Sequence, residues 1–385
     1  MEQLKLRFID LFEDEPTHLF FAPGRINLIG EHIDYSGGHV FPCAITHGTY
    51  GWVRKRNDRK IRMASENFKE QGVFTFDLDD LEYREKDGWT NYVKAMVLYI
   101  QNKYILDVGF DIVIYGNIPN GAGLSSSASL EMMVGYAIND LYGLNMDPID
   151  LVKLGVKTEN EYIGVNSGIM DQFAVMMGRE NHAMLLDTDT LNHDYVPLDL
   201  KEYVIVIMNT NKRRGLNSSK YNERRQQCEK ALEILQGIEY KENLCDYNLD
   251  MLVRYKNLFE DELVYRRARH AITENHRTLR AKSVLNSGDL RSFGLLMNAS
   301  HNSLRDDYDV TGVELDTIVS LACAHTSALG ARVTGAGFGG CALAIVVEED
   351  VDSFIESVGQ QYRNVIGYDA DFYLAKAGQG ASRIK

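Results

Sequence analysis

The chain of 385 residues is 45% hydrophobic and 25% charged, an ordinary globular make-up, and is too long for one typical core. Its formal net charge of −14 argues against nucleic-acid recognition, which needs clustered Lys and Arg, so an anionic ligand must be held by local dipoles, a few cations or a metal. Five cysteines without a Cys-x-x-Cys pair fit the reduced thiols of a cytoplasmic protein better than a disulfide framework or zinc site, and no apolar run reaches membrane-spanning length.

In chain order, residues 1–15 place Leu4, Phe8, Leu11 and Phe12 on one helical face among charges, unlike a secretory leader. Strand patterns follow at 18–21, 51–56, 61–64, 73–76 and 109–115, interleaved with helices over 91–102, 125–142 and 147–163, which predicts an α+β domain over 1–178. Beyond Gly178 come strands at 183–186 and 203–208, then a helical stretch from 218 to about 324 broken near Gly237 and Gly288. Strands at 331–334 and 342–347, a helix near 351–362 and a strand near 370–374 complete the order of a second, ferredoxin-like α+β domain over 179–385. Six prolines leave no Pro-rich linker to mark the boundary.

Three segments carry chemistry. The loop Pro119-Asn-Gly-Ala-Gly-Leu-Ser-Ser-Ser-Ala128 lies between a buried strand pattern and a helix in which Leu130, Met133, Val134, Ala137, Ile138 and Leu141 recur at helical spacing. Its glycines let a ligand approach the unpaired N–H groups and positive dipole end of that helix, which suits a phosphate. No Lys-Ser or Lys-Thr pair follows, so it is not a Walker A loop, and the plain alternative is a turn with a Ser cap. The run 335–340, GAGFGG, matches G-x-G-x-x-G but leads into another apparent strand near the chain's end, which predicts a hairpin instead of a dinucleotide site. In segment 22–38, APGRINLIGEHIDYSGG, Arg25 sits between a Pro-Gly turn and an apolar run, where it needs a partner if buried. Glu31, His32 and Asp34 fit no zinc spacing, whereas carboxylates and imidazole suit hydroxyl groups that both donate and accept. Asp171, among apolar neighbours in Gly168-Ile-Met-Asp-Gln-Phe173, reads by itself as a cap.

Together, in the chain order 22–38, 119–128 and 335–340, the three segments resemble the motifs of the GHMP small-molecule kinases, and segment 22–38 narrows the resemblance to the galactokinase branch. Matches at 168–173, 219–225 and 300–308 extend it over nearly the whole chain. The resemblance implies a two-domain GHMP kinase fold, a mixed-sheet α+β domain followed by a ferredoxin-like one, with the active site in the cleft. It implies that magnesium and ATP serve to phosphorylate the anomeric hydroxyl of α-D-galactose, giving galactose 1-phosphate and ADP. Asp171 then matches the catalytic base and Arg25 its electrostatic companion. Glu31, His32, Asp34, Gly168, Asp171 and Tyr221 match sugar contacts. Trp89, Pro119, Gly121, Ala122, Gly123, Leu124, Ser125, Ser126, Ser127 and Ala128 match ATP contacts, and Ser127 and Glu159 the metal ligands, with Ser126 as the alternative hydroxyl. On its own Tyr221 reads more readily as a core residue than as a contact, and Trp89 reads equally well as core. A monomer in the cytoplasm with no nucleic-acid or membrane partner is expected. The rivals are a related sugar 1-kinase acting on N-acetylgalactosamine and a non-catalytic galactose and ATP sensor. Such sensors lack the Ser-Ala pair that is intact in Ser125-Ser-Ser-Ala-Ser129.

Overall fold

The computed structural model describes residues 1–119, 123–212 and 217–385, and only the backbone of Asn217 and Ser218. Strand His18–Asn27 sends successive side chains to opposite faces, as the two-residue period of a strand requires. Leu19 joins Leu4, Phe8, Phe12, Trp52 and Val113 under helix Glu2–Phe12, while Phe20 and Ala22 enter the main core. This strand belongs to a six-stranded sheet ordered Ser382–Arg383, His18–Asn27, Pro42–Lys55, Phe110–Gly116, Lys60–Ser65, Phe74–Asp77. The sheet is mixed, because Lys60–Ser65 runs parallel to Phe110–Gly116 and the other neighbours are antiparallel. Helix Ser126–Tyr142 lies on it, with helices Thr90–Gln101, Pro148–Lys157 and Met170–Met177 packed around.

Two expectations are corrected. Pro23-Gly24 is no turn: both residues sit inside the ten-residue strand, where the register slips between Pro23 and Arg25. A proline, with no N–H for the ladder, is tolerated at such a bulge. The helix predicted over 147–163 is α-helical only to Lys157 and continues as a π turn, Thr158–Ile163; a second π turn, Leu304–Tyr308, follows helix Leu290–Ser303. Turns of this kind move side chains out of α register and gather at functional sites.

The second sheet holds Ala328–Thr334, Cys341–Val347, Tyr203–Asn209 and Asp371–Ala375 in that order, all antiparallel, which is the ferredoxin-like arrangement. Its two central strands are continuous apolar runs because both faces are covered. Ile205, Ile207, Leu343 and Ile345 share a core with Phe293 and Met297, while Val206, Met208, Ala344 and Val346 share the other with Leu315, Phe354 and Val358. The first crossover comprises helices Asn217–Gln236, Leu249–Arg254, Glu262–Asn286, Leu290–Ser303 and Val313–Ala324, and the second is helix Val351–Ile366. Residues 335–340 form the predicted hairpin between the strands ending at Thr334 and starting at Cys341. A small third sheet places His182–Asp187 between His39–Val40 and His193–Pro197, linking the two halves of the chain.

Candidate active site

Strand His18–Asn27 delivers Arg25, only 4% exposed, and the first turn of helix Met170–Met177 delivers Asp171. Arg25 Nε donates to Asp171 Oδ1 at 2.9 Å and Nη2 to Oδ2 at 3.0 Å, while Nη1 donates to the Gly123 carbonyl at 2.7 Å. The buried guanidinium is thereby satisfied, and the two-point pairing fixes the plane of the carboxylate. Asp171 is not the helix cap, a place held by Ile169. In front of the pair lies a cavity of about 330 Å³, lined by Glu31, His32, Asp34, Ser126, Ser127, Glu159, Gly168, Tyr221 and the backbone at Gly335 and Ala336.

Glu31 and His32 reach this wall with their polar atoms engaged. The Glu31 carboxylate accepts from the Asn27 side chain and the Gly335 N–H, and burial pushes its pKa up. Arg332, fully buried, donates Nη1 to the Asn27 carbonyl at 2.8 Å and holds Nη2 3.9 Å from Glu31. Burial pulls the His32 pKa down to about 3, so the ring is neutral. Its Nε2 lies 3.1 Å from the Ala336 carbonyl, which can only accept, so Nε2 carries the proton and Nδ1 accepts from the Tyr35 hydroxyl at 2.8 Å. Tyr35 in turn meets the Tyr308 hydroxyl at 2.8 Å, and Tyr308 meets Cys228 Sγ at 3.1 Å.

Asp34 stands differently. The Met170 N–H reaches its carboxylate at 3.4 Å, and burial together with the charge of Asp171 pushes its pKa up to about 7. Gly168 makes the room for it, because a Cβ there would fall 2.0 Å from Asp34 Oδ2. Tyr221, on helix Asn217–Gln236, shares a hydrogen bond with the Gly168 backbone and packs against His32 and Tyr35 at ring separations of 5.4 and 5.6 Å. Carboxylates, phenol and backbone polar groups around a space of this size suit a small polyhydroxylated ligand.

The opposite side is the loop before helix Ser126–Tyr142. Gly335, with φ +81°, presses on it so closely that a Cβ would lie 2.7 Å from the Gly123 carbonyl oxygen. Ser125 precedes the helix without capping it: its backbone is left-handed, φ 60° and ψ 50°, and its hydroxyl donates to Asp171 Oδ2 at 2.6 Å. A serine cap needs an extended backbone to turn its oxygen onto the helix N–H groups, so the cap expectation fails here. The Ser127 hydroxyl hydrogen-bonds the carboxylate of Glu159, carried on the π turn and 7% exposed. Burial first, then the charge of Asp171, pushes Glu159 up to about 7 against the effect of that hydrogen bond. A hydroxyl and a charge-starved carboxylate are hard oxygen donors that fit magnesium, which completes its shell with phosphate oxygens and water. Among the described residues, no cluster of three or more His, Cys, Asp or Glu is placed to hold a metal alone.

The other expected ATP contacts disperse. Leu124 and Ala128 bury their side chains in the core and do not line the cavity, the Leu124 carbonyl accepting from the Arg25 N–H at 3.2 Å, and Pro119 is half-buried where the loop begins. Gly121 and Ala122 lie outside the described residues. Trp89 is not part of the cavity lining; it precedes helix Thr90–Gln101, donates to Gln71 Oε1 at 3.2 Å and meets Phe74 edge-on at 6.1 Å. Sequence reasoning missed Ser125 as a partner of Asp171 and missed Asn27, Tyr35 and Arg332. Tyr308 was within reach, since it closes the matched segment 300–308.

Three family models match the chain: the galactokinase galactose-binding signature at residues 6–55, the GHMP kinases N-terminal domain at 91–179 and the GHMP kinases C-terminal domain at 281–364. The chain is 55% identical to the galactokinase of Enterococcus faecalis, with all of both chains covered. It is 53% identical to that of Streptococcus suis, covering 100% of this chain and 98% of the relative. The structure superposes on Lactococcus lactis galactokinase complexed with galactose with a TM-score of 0.97 at 49% identity, covering 99% of each chain. Methanococcus jannaschii mevalonate kinase shares the fold, with a TM-score of 0.66 at 18% identity over 94% of this chain and 99% of that one.

Proposed function

This chain belongs to the galactokinase family of the GHMP small-molecule kinases, and on that premise we propose which residues carry its reaction. The enzyme transfers the γ-phosphate of ATP to the anomeric hydroxyl of α-D-galactose, giving galactose 1-phosphate and ADP. The observation that carries the assignment is the bidentate Arg25–Asp171 pair facing the cavity, with Asp34 on one side and the loop on the other. Asp171 accepts the anomeric proton as the sugar oxygen bonds to the γ-phosphorus and the bond from that phosphorus to the ADP oxygen breaks. Arg25 offsets negative charge on the group in flight. Phosphoryl transfer asks mainly for alignment and charge compensation, so one base and one fixed cation suffice on the protein side.

The sugar rests against Asp34, the Gly168 backbone and Tyr221, in a wall built by Glu31 and His32. ATP lays its phosphates along the loop 119–128 at the start of helix Ser126–Tyr142, where free N–H groups and the helix dipole favour anions. Ser127 and Glu159 would hold magnesium, which neutralises phosphate charge when bound. We place the domain boundary near residues 178 and 179, with Ser382–Arg383 returning to the first sheet. The five cysteines are free thiols, as suits the cytoplasm. An ADP-release assay over galactose, glucose and N-acetylgalactosamine tests the substrate. Turnover should be high with galactose alone, and equal or better turnover with N-acetylgalactosamine would overturn the choice of sugar.

A further inference from the structure

Ser125 differs from the two serines that follow it. It takes a left-handed backbone, which is costly for any residue but glycine, and its hydroxyl is spent on Asp171, 46 residues further along. Two residues earlier, the Gly123 carbonyl accepts from Arg25. The loop therefore grips both members of the pair, the guanidinium by a carbonyl and the carboxylate by a hydroxyl. Counting lone pairs shows the effect on the carboxylate. Oδ2 accepts from Arg25 Nη2 at 3.0 Å and from Ser125 at 2.6 Å, which fills it, whereas Oδ1 accepts one aligned bond, from Nε at 2.9 Å. Nη2 is also 2.9 Å from Oδ1, but its N–H is aligned on Oδ2.

We propose that Ser125 is a positioning residue: its hydroxyl occupies Oδ2 of Asp171, leaves Oδ1 to accept the sugar proton, and ties the base's orientation to the conformation of the phosphate-facing loop. The proposal rests on Asp171 being the base. Ser125 donates the same hydrogen bond throughout and exchanges no proton with the substrate.

Ser125→Gly is the test, since glycine adopts the left-handed backbone freely and only the hydroxyl is lost. Losing one hydrogen bond to a charged group should lower kcat roughly tenfold or more. The galactose KM, the affinity for a non-hydrolysable ATP analogue with magnesium measured by calorimetry, and Tm should all stay near wild type. In an Asp171→Asn background, single-turnover rates should show no further loss, because the partner is already gone. An unchanged kcat, a fall in nucleotide affinity that accounts for the lost rate, or an undiminished further loss in the Asp171→Asn background would each overturn the proposal. If Asp171→Asn itself stays active, the base assignment fails; if Asp171→Asn is inactive and Ser125→Gly is normal, only the positioning role fails.

Discussion

Replacing Asp34 with asparagine should stabilise the sugar-free enzyme at alkaline pH while impairing galactose binding. In the folded chain, burial and the charge of Asp171 push Asp34 up from 3.8 to about 7. Between those values the folded state holds a proton that the unfolded chain has released, so stability falls as pH rises, by about 1.4 kcal/mol per pH unit at full slope, and levels off above the folded pKa. From pH 5 to pH 8 the titration spans about two units of that slope. Solvent screening of this half-buried group leaves on the order of 2 kcal/mol. Asparagine keeps the shape and cannot ionise. Urea unfolding of both proteins at pH 5, 6, 7 and 8 should therefore show the stability of Asp34→Asn rising relative to wild type with pH, and flattening near the top of the range. Glu31 and Glu159, also pushed up by burial, titrate in both proteins and largely cancel in the difference. Calorimetry should show galactose affinity reduced by at least about tenfold, the loss of a charged hydrogen-bonding partner. A pH-independent stability difference would refute the electrostatic reasoning, and unchanged sugar affinity would refute the placement of galactose against Asp34.

Ser127→Ala and Glu159→Gln should each raise the magnesium concentration needed for half-maximal turnover while leaving galactose binding intact; a magnesium titration matching wild type in both would move the metal site elsewhere. Gly335→Ala places a Cβ 2.7 Å from the Gly123 carbonyl at a backbone φ of +81°. It should lower stability by about 1–3 kcal/mol and weaken nucleotide binding, and a Tm and ATP affinity equal to wild type would show that the hairpin does not brace the loop. Gly168→Ala, whose Cβ would sit 2.0 Å from Asp34 Oδ2, should raise the galactose KM with little effect on nucleotide affinity in calorimetry.

Much of the fold was legible where burial writes itself into composition. The central strands Phe110–Gly116, Tyr203–Asn209 and Cys341–Val347 are apolar runs because both their faces are covered, and the hairpin at 335–340 followed from two such runs flanking glycines. Strands His39–Val40, His193–Pro197 and Ser382–Arg383 were not legible: they are short, partly exposed edge pieces whose pairing comes from the surrounding packing. The site divides in the same way. Loop 119–128 suggested an anion site through local glycine and helix chemistry. The contact of Arg25 with Asp171 joins residues 146 apart, and no periodicity encodes it. Ser125 was matched only to ATP, with a Ser cap as the plain alternative for the loop; its left-handed backbone, which the sequence does not reveal, goes with a hydroxyl turned to the carboxylate. Glu159 looked like one acid of several on an exposed face until the π turn buried it beside Ser127.

The central claim is that Asp171, held by Arg25, accepts the anomeric proton. Measuring kcat and galactose affinity together in Asp171→Asn tests it most directly, since asparagine keeps the size and most of the hydrogen bonding but cannot serve as the base. The account predicts that kcat falls by about 10²-fold or more, the usual scale of general-base catalysis, while calorimetric galactose affinity stays within a few-fold of wild type. A variant that keeps more than about a tenth of wild-type kcat would contradict the base role.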